Sequence, residues 1–126
     1  MLYAILCYDD EGAVCALTKE EDDALMAELK GVRKRVAAHG RLGPVARLMP
    51  TTAATTLREG RDIVVIDGPF AETKEQLLGF YVIDCPTLED AIEAARLLAG
   101  PRVSAGLAGA LEIRPIAVFQ PLGEAA

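Results

Sequence analysis

The sequence predicts a mixed α+β domain in which two helices cover one face of an antiparallel sheet. Two short, strongly apolar segments at 2–8 and 79–84 are typical of buried strands. Each of these strand segments is followed in the chain by a segment with apolar residues at helical spacing. Turn-forming residues separate the strand segments from the helical ones. The chain has 126 residues, of which 52% are hydrophobic, so one domain can bury a substantial core. We expect a single domain over 1–120 and a C-terminal tail over 121–126 that is frayed near its end.

The first strand and the first helix have clear sequence patterns. Apolar residues at both odd and even positions of 2–8 predict a strand buried on both faces. An acidic turn at 9–12 ends this strand. A T-x-x-E capping-box pattern at 18–21 then starts a helix that extends from Lys19 to about His39. Its apolar stripe consists of Leu25, Leu29, Val32 and Val36.

The middle of the chain contains strand patterns separated by turn residues. We expect a short strand at 45–49, followed by a hairpin whose strands cover 54–57 and 62–66. Residues 70–78 are rich in charge and form a polar excursion. The strand at 79–84 follows this excursion.

A second helix and a last strand complete the pattern. A T-x-x-D pattern at 87–90 starts the helix, and the Gly-Pro pair at 100–101 is expected to stop it. The Gly-rich segment 103–109 is predicted to be a loop, and 111–119 the last strand. Because Pro115 cannot donate a ladder hydrogen bond, it indicates a sheet edge or a bulge.

This order of elements is typical of a ferredoxin-like fold with an extra hairpin. The strands at 2–8 and 80–83 have apolar residues on both faces, whereas the two helices can cover only one face of the sheet. A second, identical chain is the simplest cover for the other face, because most soluble oligomers are symmetric homodimers. The alternative is that residues 67–78 fold over the open face of their own chain.

The charge of the chain favours some partners and excludes others. The formal net charge is −6, and only Arg33-Lys34-Arg35 are adjacent basic residues. On a helix these three side chains point in different directions, which indicates a solvated surface. We therefore expect neither nucleic acid nor an anionic membrane as a partner.

The cysteines and the N-terminus indicate a cytoplasmic protein. Three cysteines, Cys7, Cys15 and Cys85, form no CxxC pair, so we expect neither a disulfide framework nor a metal site. No cofactor motif is present. The sequence begins with strand-like residues instead of a basic signal-peptide region, and no apolar run is long enough to span a membrane.

The segment 67–75 (DGPFAETKE) is the most unusual part of the chain, because it places three carboxylates and one ammonium before a strongly apolar strand. Loops beside strand ends often present functional groups. Asp67 is the candidate acid–base residue, because a carboxylate at the mouth of an apolar barrel is desolvated, which raises its pKa. Lys74 would hold an anionic group of the ligand. The residues expected to bind a ligand are Tyr8, Phe70, Glu72, Lys74 and Glu75.

A purely structural interpretation of the same segment stays open. Asp67-Gly68 is an ordinary turn, and Pro69 fixes the bend. Glu72 and Glu75 can be solvated charges, and Phe70 can fill a gap in the core. The three carboxylates would then have no role beyond folding or solubility.

The run DGPFAETKEQLLGFYVID at 67–84 resembles the motif of the YCII-related family, in the branch often called DGPF-domain proteins. The opening MLYAILCYDDEG and the helix end AAHGRL are also similar to that branch. The resemblance covers the chain to about Phe119. It implies a dimeric α+β barrel, and for some members an association with sigma factors of the extracytoplasmic-function type.

The resemblance does not settle the activity. A His–Asp pair in a cleft has been suspected of catalysis in the wider family. Here the only histidine, His39, lies at the predicted end of the first helix, whereas the corresponding mid-helix position falls near Leu29. The pair therefore does not carry over to this chain.

Three hypotheses follow from the sequence. The first is a small-molecule site in a homodimer, with Asp67 as acid–base group, Lys74 as anion anchor, and Tyr8 and Phe70 lining the pocket. The second is a binding module without catalysis that serves a sigma factor. The third is that the acidic motif only holds the dimer together.

Overall fold

The computed structural model of the chain describes residues 1–123. The last three residues, at the end of the tail predicted to fray, lie outside the described part. The strands are β1 (Leu2–Asp10), β2 (Arg41–Arg47), β3 (Thr55–Arg58), β4 (Val64–Asp67), β5 (Glu75–Asp84) and β6 (Ala110–Pro115). The helices are α1 (Glu11–Cys15), α2 (Lys19–Val36) and α3 (Leu88–Ser104). A 3-10 turn covers Thr51–Ala53.

The topology confirms the predicted ferredoxin-like fold with an extra hairpin. Four strands form one antiparallel sheet in the order β2-β5-β1-β6, so the two most apolar strands are central. The β3–β4 hairpin is inserted between β2 and β5 and forms a separate two-stranded sheet. No helix within residues 1–123 has both the length and the apolar character needed to cross a bilayer.

Two helices cover one face of the main sheet, as predicted. Odd-numbered residues of β1 are buried beneath α2 and α3, together with Tyr81 and Ile83 of β5. Even-numbered residues of β1 are half-buried, and no helix covers them. Cys7 and Cys85 are buried in this core, as expected for small apolar side chains. In the single chain the predicted burial of β1 on both faces is therefore complete on one face only.

The acidic turn after β1 is also a helix start. The Asp10 carboxylate accepts hydrogen bonds from the backbone N–H groups of Gly12 (2.9 Å) and Ala13 (3.4 Å), which caps α1. The sequence prediction of a simple turn missed this short helix because Asp favours turns and helix N-caps for the same reason.

The helix ends differ from the prediction. α2 ends at Val36, three residues before His39. α3 continues through Pro101 to Ser104, so the predicted stop at 100–101 is wrong. A proline disfavours a helical residue before it partly through a clash with that residue's Cβ, which Gly100 lacks. Pro101 is itself buried, and the burial of its ring offsets the lost hydrogen bond.

The strand boundaries also shift. β2 covers Arg41–Arg47 instead of 45–49, and β6 ends at Pro115 instead of continuing to residue 119. β5 starts at Glu75, inside the predicted polar excursion, because that part of the chain pairs with the end of β1 across a bulge. Pro115 lies on an edge strand, as expected.

His39, which follows α2, forms a side-chain contact with α3. Its Nδ1 lies 3.2 Å from the Asp90 carboxylate in the first turn of α3. The hydrogen bond with His39, followed by that of Thr87, lowers the pKa of Asp90. The sequence predicted His39 at the end of the first helix, whereas it lies beyond that end and has a side chain of α3 as its close partner.

Candidate functional site

The Asp67-Gly68 turn is fixed to the neighbouring strand of the hairpin. Gly68 has a φ of 98°, in the region that favours glycine. Its N–H donates to the carbonyl of Ala54 at 2.8 Å, and its carbonyl accepts from the Thr56 hydroxyl at 2.7 Å. The turn thus closes the base of the hairpin and directs the following residues toward the end of β1.

A cleft of about 470 Å³ lies where those residues meet the end of β1 and the 3-10 turn. We call it the loop cleft. Its walls are Asp10, Glu11, Gly12, Thr51, Thr52, Gly68, Pro69, Glu72, Thr73, Lys74 and Gln76. The Glu11 carboxylate accepts from the N–H and the hydroxyl of Thr51, and Gln76 donates to the carbonyls of Ala71 (3.1 Å) and Thr73 (3.3 Å). Several of its polar groups are therefore engaged in holding the loop.

The predicted site residues are spread over several places. Glu72 and Lys74 line the loop cleft. Asp67 ends β4, is exposed, and is not part of the cleft wall. Phe70 is 73% exposed, and the Arg58 guanidinium lies 5.8 Å from its ring centre. Glu72 and Lys74 are therefore the two predicted site residues that share the loop cleft.

Glu75 and Tyr8 lie on the central strands. Glu75 pairs with Asp10 at the start of β5 and is exposed. Tyr8 is half-buried between Leu77 and Ala110, on the sheet face that has no helix. Within residues 1–123, Tyr8 and Phe70 do not line one pocket, so the pocket expected for both in a homodimer stays a prediction.

A second space, about 160 Å³, lies between α2 and the helix-covered face of the sheet. We call it the interior cavity. It separates two packed clusters of the core, because its wall includes Cys7 and Tyr81 from the main cluster and Leu25, Leu29 and Leu107 from the other. The remaining wall residues are Val14, Asp22, Met26, Arg33, Val45, Ala46, Arg47, Leu78, Gly79, Phe80 and Arg102.

The charged side chains of the interior cavity come from three elements, α2, β2 and α3. Arg47 of β2 makes two hydrogen bonds to the Asp22 carboxylate of α2, at 2.9 and 3.1 Å. Arg33 of α2 is exposed and forms no ion pair within residues 1–123. Because Arg33 and Arg47 are exposed while the Leu residues are buried, the cavity opens between α2 and β2.

Arg102 of α3, which also lines the interior cavity, pairs with the Asp9 carboxylate. Asp9 is 1% exposed and is the one buried charged side chain in residues 1–123. A buried carboxylate needs a charged or hydrogen-bonded partner, which the guanidinium supplies. This pair links the end of β1 to the end of α3, and its Arg102 side chain also lines the interior cavity.

Tyr81 places a hydroxyl at this cavity. Within residues 1–123 its hydroxyl makes no hydrogen bond, and no fully buried side-chain N or O atom there lacks one. The hydroxyl is therefore open to the cavity rather than sealed in the core. Burial raises its pKa, as does the nearby Cys7, while the charges of Arg102 and Arg33 oppose the rise. Burial likewise raises the pKa of the Cys7 thiol, so both groups are held neutral.

Neither space contains a cluster suited to a metal. Among residues 1–123, no three His, Cys, Asp or Glu side chains converge closely enough to hold an ion. The interior cavity instead combines apolar walls, guanidinium groups and a neutral hydroxyl. Apolar walls with a few polar groups are typical of sites that can bind and orient a small organic molecule.

Comparison with known proteins identifies the family. The sequence model of the YCII-related domain matches residues 1–120. The chain belongs to the YCII-related family. It is also 52% identical over 122 residues to an uncharacterized protein of Rhizobium meliloti (strain 1021), covering 96% of each chain. The narrower assignment to the DGPF branch stays a prediction.

The interior cavity of this YCII-related domain was missed in the sequence, although a signal for it is present. Arg33 follows Leu25 and Leu29 at a spacing of four residues, so it continues the apolar stripe of α2. Arg102 likewise follows Leu98 on α3. A charged residue on an otherwise buried helix face indicates either a solvated edge or a polar cavity, and the prediction considered only the first.

Proposed function

We propose that this YCII-related domain binds a small molecule in the interior cavity. One observation supports the proposal above all: an opening with apolar walls separates the two core clusters and contains the Tyr81 hydroxyl, which has no hydrogen-bond partner within residues 1–123. Known ligand sites have this composition, with mostly apolar walls and a few convergent polar groups. The perturbed pKa of Tyr81 is typical of functional sites as well.

The size of the interior cavity also supports the proposal that it binds a small molecule. Protein interiors are close-packed and leave few voids larger than a water molecule. The interior cavity opens to solvent, yet about 160 Å³ of space beside the core is left unfilled by side chains. Selection for stability alone would favour larger side chains at positions such as Val14 or Ala46. A bound molecule gives a reason for keeping the space.

Acid–base catalysis by Asp67 stays a prediction of the sequence. An exposed carboxylate is well solvated, so it lacks the desolvation on which that hypothesis depends. A covering surface from a second chain would be needed to supply it. The loop cleft, with Glu72 and Lys74, would then be a separate polar site.

Thermal-shift screening against a metabolite library tests the proposal. A ligand at about 100 times its dissociation constant adds about 2.7 kcal/mol to the free energy of unfolding of the protein that binds it. We expect the wild type and the surface control Met49→Phe, at a residue 76% exposed, to respond equally. Leu29→Phe fills the interior cavity. Its melting temperature with the compound should therefore equal its melting temperature without the compound.

The same screen distinguishes the alternatives. A response that survives Leu29→Phe but disappears in Asp67→Asn would move the site to the 67–75 segment and contradict the interior-cavity proposal. No response from any compound would favour the binding-module hypothesis, in which a protein such as a sigma factor is the partner.

A second copy of the chain is proposed to cover the open sheet face. Leu6 and Phe80 pair at the centre of that face and are half-buried without a helix above them. The hairpin exposes Val65 (64%) and Phe70 follows at 73%, so apolar surface continues beyond the sheet. Exposed apolar patches of this kind mark protein interfaces.

Light scattering after size-exclusion chromatography measures this association. We expect a dimer for the wild type and a monomer for Leu6→Asp, because a carboxylate at the centre of an apolar interface is desolvated without a partner. Leu88→Asp, on the helix side, should remain dimeric, since Leu88 is 46% exposed at the start of α3. A monomeric wild type at micromolar concentration would refute the dimer.

A further inference from the structure

We infer that the ligand of the interior cavity is a small organic monoanion built on a single ring, of the benzoate type. The inference rests on the proposed function and adds the chemical class of the ligand. Three properties of the cavity lead to it: its volume, its net charge and the position of a neutral donor.

The volume limits the ligand to about one ring. A dry apolar cavity of about 150 Å³ in a protein core accommodates benzene. The interior cavity measures about 160 Å³ and has mostly aliphatic walls toward α2, contributed by Leu25, Met26, Leu29 and Leu107. A six-membered ring with one small substituent fits within such a space, whereas a nucleotide or a second fused ring would extend out through the opening between α2 and β2.

The charge of the wall selects an anion. The chain as a whole has a net charge of −6, yet this wall contains three guanidinium groups and one carboxylate. Asp22 neutralises Arg47, and Asp9 neutralises Arg102. Arg33 is left without an ion-pair partner in the described part of the chain, so one positive charge at the cavity is uncompensated. Arg33 is exposed at the opening of the cavity, and the apolar walls on its inner side reduce the solvent screening of its attraction for an anion bound there.

The neutral donor completes the set of contacts. Tyr81 is 8% exposed, and its hydroxyl has no protein acceptor within residues 1–123. A carboxylate accepts hydrogen bonds and cannot donate one when ionised, so it matches a guanidinium and a phenol hydroxyl together. A neutral ring with an alcohol substituent would satisfy Tyr81 but would leave Arg33 unused.

Titration followed by NMR, with benzoate and with benzyl alcohol as probes, tests this inference on the purified full chain. We expect benzoate to bind at least about tenfold more tightly than benzyl alcohol, the factor that corresponds to one charge-assisted hydrogen bond. Arg33→Gln should weaken benzoate binding by about tenfold and leave benzyl alcohol binding unchanged. The matched control is Arg35→Gln, which removes a neighbouring exposed charge of α2 that does not line the cavity.

The outcomes separate the inference from the proposed function. If both probes bind equally, and Leu29→Phe abolishes both, the cavity is a ligand site but the anion selectivity is refuted. If Arg35→Gln weakens benzoate as much as Arg33→Gln does, the effect is one of general surface charge, which also refutes it. If benzoate binding persists in Leu29→Phe, the ligand lies elsewhere, and the proposed function fails with the inference.

Discussion

Replacing Asp9 by asparagine is expected to lower the free energy of unfolding by about 3–5 kcal/mol. The Asp9 carboxylate is 1% exposed and pairs with Arg102, whose side chain is 16% exposed. Removing one charge of a buried pair leaves the other desolvated and uncompensated, which costs more than the pair itself contributes. Urea denaturation followed by circular dichroism measures the change.

Two further variants show whether the buried charge is responsible. Asp23→Asn removes a carboxylate from an exposed ion pair with Lys19, so it should change the stability by no more than about 1 kcal/mol. The double variant Asp9→Leu/Arg102→Met replaces both charges with apolar groups and should recover much of the loss. A single Asp9→Asn variant as stable as Asp23→Asn would show that Arg102 is satisfied by solvent instead.

Gly109→Ala is expected to destabilise the fold by about 3 kcal/mol, at the top of the usual range for overpacking. A Cβ atom at Gly109 would lie 1.9 Å from the carbonyl oxygen of Tyr8 and 2.8 Å from the carboxylate of Asp9. The Tyr8 carbonyl belongs to the backbone of a central strand, so it cannot move aside as a flexible side chain can. The substitution therefore displaces the start of β6 from β1, as a lower melting temperature should show.

The matched control is Gly31→Ala in the middle of α2. A Cβ atom there has no neighbour within 4 Å. Because glycine is less favourable than alanine in a helix interior, this variant should gain about 0.5–1 kcal/mol. Equal effects of the two substitutions on stability would contradict the close approach described for Gly109.

The fold followed from the sequence because periodicity is a local property. The apolar runs of β1 and β5 and the stripe of α2 report burial within a few residues of chain. The errors in the predicted helices arose at residues that are compatible with two local structures. Asp10 favours a turn or a helix cap, and Pro101 usually ends a helix but here follows a glycine.

The candidate site was less predictable because it depends on contacts between distant residues. Asp9 and Arg102 are 93 residues apart, and nothing in either local pattern indicates that they meet. Arg33 was interpreted as a solvated charge, since a guanidinium beside a cavity and one in bulk water have the same helical spacing. The run at 67–84 identified the YCII-related family correctly, but a motif does not indicate whether its carboxylates are covered or exposed.

Both outer strands of the main sheet contain a proline, which limits how chains can associate. Pro44 lies in β2 beside a shift of its register with β5, and Pro115 is the last residue of β6. An outer strand with a missing donor and an irregular register is a poor template for another strand, so sheet extension between molecules is disfavoured. The domain should therefore resist the fibrillar aggregation typical of exposed strands, and contacts between copies are directed to the flat side of the sheet.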